Sequence, residues 1–161
     1  MRLYILVIGI ILLPACAGAQ STRVADSILS SYSNHYHELA GNGEWGKALA
    51  IGKKALQQVP IEKASSDKRV ELWFDIAYMS AELKQFDSAV NYYEKARLEL
   101  EAAVDRDVEQ LGLIFNNLAF AMDNLGRQQK KISYYTKALD LWLTTQPPPE
   151  KKLLTALGNL V

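Results

Sequence analysis

Cysteine is nearly absent: Cys16 stands alone in 161 residues, so no internal disulfide can hold the fold. Histidine is scarce too, with only His35 and His37. Two apart on a helix they share no face, and no cysteine pair completes a zinc set. Neither sign of charge is in excess, since 18 Lys and Arg balance 18 Asp and Glu. That removes the basic field that phosphate recognition needs. Signatures of chemistry are missing as well: there is no G-x-S-x-G and no H-E-x-x-H, and no nucleophile stands with a base and an orienter. The acidic residues Asp105, Asp107 and Glu109 surround Arg106 and read as a solvated loop. We therefore expect no catalytic site, no metal, no cofactor and no nucleic-acid partner.

Long apolar runs are also wanting, save one. Leu3–Leu13 follows Arg2 and leads into the small residues of Pro14–Gln20, a pattern that reads as an export signal over residues 1–19. Eleven residues are too few for a comfortable membrane span, which takes roughly 20. Cleavage after Ala17-Gly18-Ala19 starts the mature chain at Gln20. Leu13-Pro14-Ala15-Cys16 offers a second exit, similar to a bacterial lipobox, that leaves a lipidated Cys16. An uncleaved anchor is the third alternative. The expected location is outside the cytoplasm, periplasmic or secreted, with membrane contact only through that lipid or anchor.

What the rest of the chain does have is helical periodicity in three aligned segments, Tyr32–Gln57, Trp73–Leu100 and Phe115–Trp142. In each, one helix ends in a polar turn, a second begins, and a Lys-Ala pair closes on Ala55, Ala96 and Ala138. These alanines lie 41 and 42 residues apart, a repeat signal. Small residues such as Ala48, Ala55 and Ala89 allow close helix approach, while Trp45, Phe86 and Tyr93 fill the space between. A single hairpin leaves an apolar face bare, so the hairpins must stack.

This pattern resembles the tetratricopeptide family, in a long-period form. The third segment carries it with Phe115, Leu118, Ala119, Met122, Gly126, Tyr135 and Ala138. The second has Trp73, Ile76, Ala77, Phe86, Ala89, Tyr93 and Ala96; the first keeps Tyr32, Leu39, Gly43, Trp45, Ala48 and Ala55. Lys131, Ser80 and Gly52 depart from it. The resemblance implies an all-α fold of antiparallel hairpins stacked as a short right-handed solenoid over residues 20–145. Gln146–Glu150, with three consecutive prolines, ends the helix before it. Adding 42 to Phe115, Leu118 and Ala119 lands on Leu157, Leu160 and Val161. Residues 146–161 thus read as a linker and either the first half-helix of a fourth repeat or a cap.

The glycines of Gly41–Ala48 fit G-x-G-x-x-G and G-x-x-x-x-G-K by letters. Those loops need a strand before them, and here a helical segment precedes, so the glycines read as the interhelical turn. His35 is expected at the edge of the packed side and His37 on the concave side.

Carried over by register, the family's ligand-facing positions are Ser33, His37 and Ala40, then Phe74, Tyr78, Ala81 and Glu82, then Asn116, Phe120, Asp123 and Asn124. Phe74, Tyr78 and Phe120 form an expected aromatic strip, and Asn116 and Asn124 offer amides to a peptide. The cationic clamp that some members use for a carboxylate terminus is missing there. Two functional expectations follow: an exported scaffold that binds a protein or peptide without catalysis, or the input region of a bacterial sensor kinase or transcription regulator, truncated or degenerate here.

Overall fold

In a computed structural model the residues described, 13–160, form helices joined by short turns, with no strand among them. The helices are α1 (Leu13–Gly41), α2 (Trp45–Gln58), α3 (Ser66–Glu82), α4 (Phe86–Ala102), α5 (Val108–Asn124), α6 (Gln128–Leu143) and α7 (Glu150–Leu160), with a 3-10 turn at Ile61–Lys63. The apolar run Leu3–Leu12 of the expected leader lies outside the described residues. Helix α1 continues unbroken across Ala19, the expected leader boundary. Among the described residues, no helix is long and apolar enough to cross a membrane.

The hairpins α1/α2, α3/α4 and α5/α6 turn in the same way. Gly43, Lys84 and Gly126 each take a left-handed backbone, with φ of 76°, 58° and 70°. Behind each, two backbone bonds close the turn: Gly43 N to Ala40 O at 2.9 Å and Glu44 N to Leu39 O at 2.9 Å. The same pair recurs as Lys84 N to Ala81 O and Gln85 N to Ser80 O, and as Gly126 N to Asp123 O and Arg127 N to Met122 O. These bonds satisfy carbonyls that the helix end leaves without partners.

Helices α3 and α5 are started by side chains. Ser65 Oγ accepts from Lys68 N at 3.4 Å and Asp107 Oδ1 from Gln110 N at 2.9 Å, the role for which Ser and Asp are favoured at this position. Asp26 of α1 also accepts from Ser65 N at 2.8 Å, which ties the first hairpin to the start of the second.

Packing follows the repeat. Ala48, Ala55, Ala89, Ala96 and Ala138 are fully buried, and Tyr93, Tyr135, Phe115 and Leu118 pack among them. Trp45 and Phe86, expected as interhelical fillers, are only partly buried, as is Trp73 of the repeat pattern. Gly52 stands where the later hairpins have Tyr93 and Tyr135, and Ile76 and Met79 close over it instead. Lys131 replaces the alanine of Ala48 and Ala89; its ammonium reaches Asp123 at 3.4 Å. Ser80 is buried and donates to Ile76 O at 2.7 Å, so its hydroxyl costs little.

Helix α7 lies against α6 and α5. Ala156 is buried, and Lys152 Nζ donates to Glu109 Oε1 at 2.5 Å. Leu154 and Leu157, 42 residues after Gly112 and Phe115, are 71% and 50% exposed. Their counterparts are buried in the third hairpin.

Candidate functional site

The first helices of successive hairpins, α1, α3 and α5, line one side of the stack. Between them opens an apolar groove of about 450 Å³. His37 and Ala40 come from α1, Phe74 and Tyr78 from α3, and Leu113 and Asn117 from α5, with Trp45 of α2 at one edge. Tyr36 and Asp75 complete its polar floor. Four of the expected ligand-facing residues, His37, Ala40, Phe74 and Tyr78, thus meet in one place.

His37, Tyr78 and Phe120 occupy the same register and are all exposed. Each of the two rings is met edge-on by an aromatic from the second helix of the preceding hairpin. Trp45 meets Tyr78 with centroids 5.9 Å apart, and Phe86 meets Phe120 at 6.1 Å. This recurring pair explains why Trp45 and Phe86 are not fully buried: they support the exposed strip from the side. Phe74 packs edge-on against the buried Tyr93 at 5.5 Å, which holds its ring at the groove.

The other expected positions lie elsewhere. Asn116 faces α7 and lines a smaller recess with Leu113, Trp142 and Lys152. Its Nδ2 donates to Asn117 Oδ1 at 3.3 Å, and its Oδ1 is buried without a partner. Asn124 donates to Phe120 O at 2.9 Å. Asp123 accepts from Gln128 at 3.1 Å and faces Lys131. Both are engaged locally. Glu82 is exposed beside Tyr78. Ser33 is buried and donates to Glu71 at 2.7 Å. His35, expected at the packed edge, is exposed; its neighbour Tyr36 takes the buried place.

Asp75 was not among the expected residues, and it is the electrostatic centre of the groove. Its Oδ2 accepts from Tyr36 Oη at 2.8 Å and lies 2.9 Å from His37 Nε2. Burial pushes its carboxyl above the usual aspartate range, further than the bonds from Tyr36 and His37 pull it back. Burial and the adjacent carboxylate likewise push the Tyr36 hydroxyl well up, which keeps it a donor. Beside them, burial raises Glu71, but bonds from Lys68 (2.6 Å) and Ser33 outweigh it and hold that carboxyl below its usual range. A signal for this cluster existed in the register: Tyr36 occupies the position of Ala77 and Ala119, so the first repeat puts a phenol where the others put a methyl group. Among the described residues no group of three His, Cys, Asp or Glu side chains is placed to hold a metal ion.

Residues 70–96, from α3 into α4, match the family model described as a tetratricopeptide repeat. Solved structures agree over far more of the chain. One is BtubC (BKLC) from P. vanneervenii, at a TM-score of 0.67 and 19% identity, covering 90% of this chain and 62% of that one. The chain therefore spans less than two thirds of that protein. Another is a tpr-like protein (ct2138) from Chlorobium tepidum TLS, at 0.64 and 19%, covering 89% and 96%.

The fold is a tetratricopeptide-repeat fold.

The sequence matches none of the curated proteins. Within this tetratricopeptide fold, the groove lies on the side built from the first helix of each repeat, and that fold is consistent with a protein-interaction scaffold. At 19% identity the likeness establishes architecture, while partners depend on the side chains in the groove.

Proposed function

We propose that the chain is an exported scaffold that binds a peptide or protein segment in the groove between α1, α3 and α5, and that it catalyses no reaction. The observation that carries this reading is the aromatic wall of the groove: Tyr78, 43% exposed and braced edge-on by Trp45, and Phe74, held edge-on against the buried Tyr93. Rings already held by neighbours lose little side-chain entropy on binding, and they supply large apolar area for it. The groove is partly open to solvent rather than an enclosed cavity, which leaves room for a chain that continues beyond it. Export rests on the character of residues 3–19 alone.

A library of random nonapeptides displayed on phage and panned on the protein tests the binding. Enriched peptides should lose at least tenfold in affinity with Tyr78→Ala or Phe74→Ala and little with Lys95→Ala on α4. If no peptide is enriched, or if the groove variants bind unchanged, the reading is wrong. For export, the native chain recovered from cells should begin at Gln20 or carry lipid on Cys16; a cytoplasmic chain that retains Met1 would refute it.

A further inference from the structure

We infer that the groove is selective for a basic side chain, the guanidinium or ammonium of an Arg or Lys in the bound segment, with Asp75 as its counter-charge. This rests on the reading of the groove as a peptide site and adds the chemistry of its central contact.

Three features converge on that class of ligand. The first is an incompletely used carboxylate. The Asp75 side chain is 18% exposed and lines the groove. The bonds from Tyr36 and His37 both fall on Oδ2, so the acceptor capacity of Oδ1 remains for a donor in the groove. A carboxylate withdrawn from water that far gains much from an incoming cation.

The second is the balance of fixed charge. The neighbouring cation, Lys68, is committed to Glu71 at 2.6 Å, and Glu71 also accepts from Ser33. Glu82 adds a further carboxylate beside Tyr78. Asp75 itself is met by Tyr36, a neutral donor, and by His37, whose ring is half-exposed and whose Nδ1 lies 3.4 Å from Ser33 Oγ. No Lys or Arg lines the groove. An anionic ligand would meet Asp75 in the groove and Glu82 beside Tyr78, with no Lys or Arg in the lining to receive it.

The third is the walls. Phe74, Tyr78 and Trp45 stand around the same opening, and aromatic faces attract ammonium and guanidinium groups held within about 6 Å. They also cover the methylene stem of a long basic side chain, which a smaller polar residue lacks. A buried acid ringed by aromatics rejects acidic side chains by repulsion and desolvation, and thus discriminates as well as attracts.

The panning experiment separates this inference from the reading beneath it. The expected result is an enriched set with Arg or Lys at one position. Against the best such peptide, Asp75→Asn should weaken binding at least tenfold. Replacing the basic residue by Gln should weaken it similarly, and the two changes together should cost little more than either alone, as a direct contact requires. Thermal unfolding of Asp75→Asn checks that the fold is kept, and Asp75→Glu serves as the variant that retains the charge. Enrichment of acidic or uncharged peptides that still depend on Tyr78 would overturn the basic specificity and leave the peptide site standing. Additive losses in the double variant would likewise overturn it. Failure to enrich any peptide would remove the groove reading itself.

Discussion

The indole of Trp142 lies across the bare Cα of Gly112. A Cβ added to Gly112 would stand 2.7 Å from Trp142 Cδ1 and 2.8 Å from Cε2, and nearer still to Nε1. That Nε1 donates to Glu109 O at 3.1 Å, one turn earlier on α5. Glycine here serves close approach of two helices, and the ring is pinned both by contact and by a hydrogen bond.

Gly112→Ala should therefore destabilise the protein by about 1–3 kcal/mol, as overpacking of a full site does. The ordinary gain of Ala over Gly in a helix, ~1 kcal/mol, would be outweighed. Urea unfolding followed by tryptophan fluorescence measures it; an unchanged or raised midpoint would show that α5 and α6 have room to separate.

Lys84 invites the opposite change. It takes the left-handed turn that Gly43 and Gly126 take in the other hairpins, and a residue with a Cβ bears roughly 1–2 kcal/mol of strain there. Part of that is offset by the greater freedom glycine has in the unfolded chain. Lys84→Gly should stabilise by about 0.5–1 kcal/mol and raise the melting temperature by a few degrees. Destabilisation would mean that the lysine stem contributes packing that outweighs the strain.

Asp75 gives a pH dependence of defined sign. In the unfolded chain its carboxyl ionises near pH 4, and in the fold burial moves it higher. The folded state thus holds a proton that the unfolded state has lost, so stability falls as pH rises from about 4 through the raised value. Asp75→Asn keeps an acceptor for Tyr36 and removes the buried charge. It should match the natural protein near pH 4 and become the more stable of the two by pH 7. Glu71 and Glu99 act in the other direction. Burial opposes the shift of Glu71, but its bonds from Lys68 and Ser33 prevail; Glu99 is lowered chiefly by Arg69. Both add stability above about pH 4.5 that is lost on acidification. Melting curves from pH 4 to 8 on the pair test this, and a constant gap between them would contradict it.

Equivalent positions need not respond alike. Ala89 has no exposed surface, so Ala89→Leu should cost about 1–3 kcal/mol. Lys131, in the same register, reaches past the interface to Asp123 at 3.4 Å, a weak pair of the kind that contributes up to about 1 kcal/mol. Lys131→Ala should stay within about 1 kcal/mol of the natural protein. A large loss there would place Lys131 in a packing role that its ion pair does not explain.

The sequence by itself determined the hairpins. The 41- and 42-residue spacing of Ala55, Ala96 and Ala138 is a local record of helix length and turn position, and Gly43 and Gly126 already stood in the repeat pattern; Lys84 as the matching corner of the second hairpin came from the structure. Through the tetratricopeptide resemblance the sequence also grouped His37, Phe74 and Tyr78, which do line one groove, because register within a helix sets the face on which a side chain emerges. Only the tertiary structure decided the rest. Asn116 turned toward α7, His35 to solvent, and Asp75 became the floor of the groove through a bond to Tyr36, 39 residues away in the chain. Gly112 was silent until Trp142 lay on it. Periodicity specifies each helix alone; which side chains from two helices meet depends on their approach and crossing, and those are settled by packing across the whole stack.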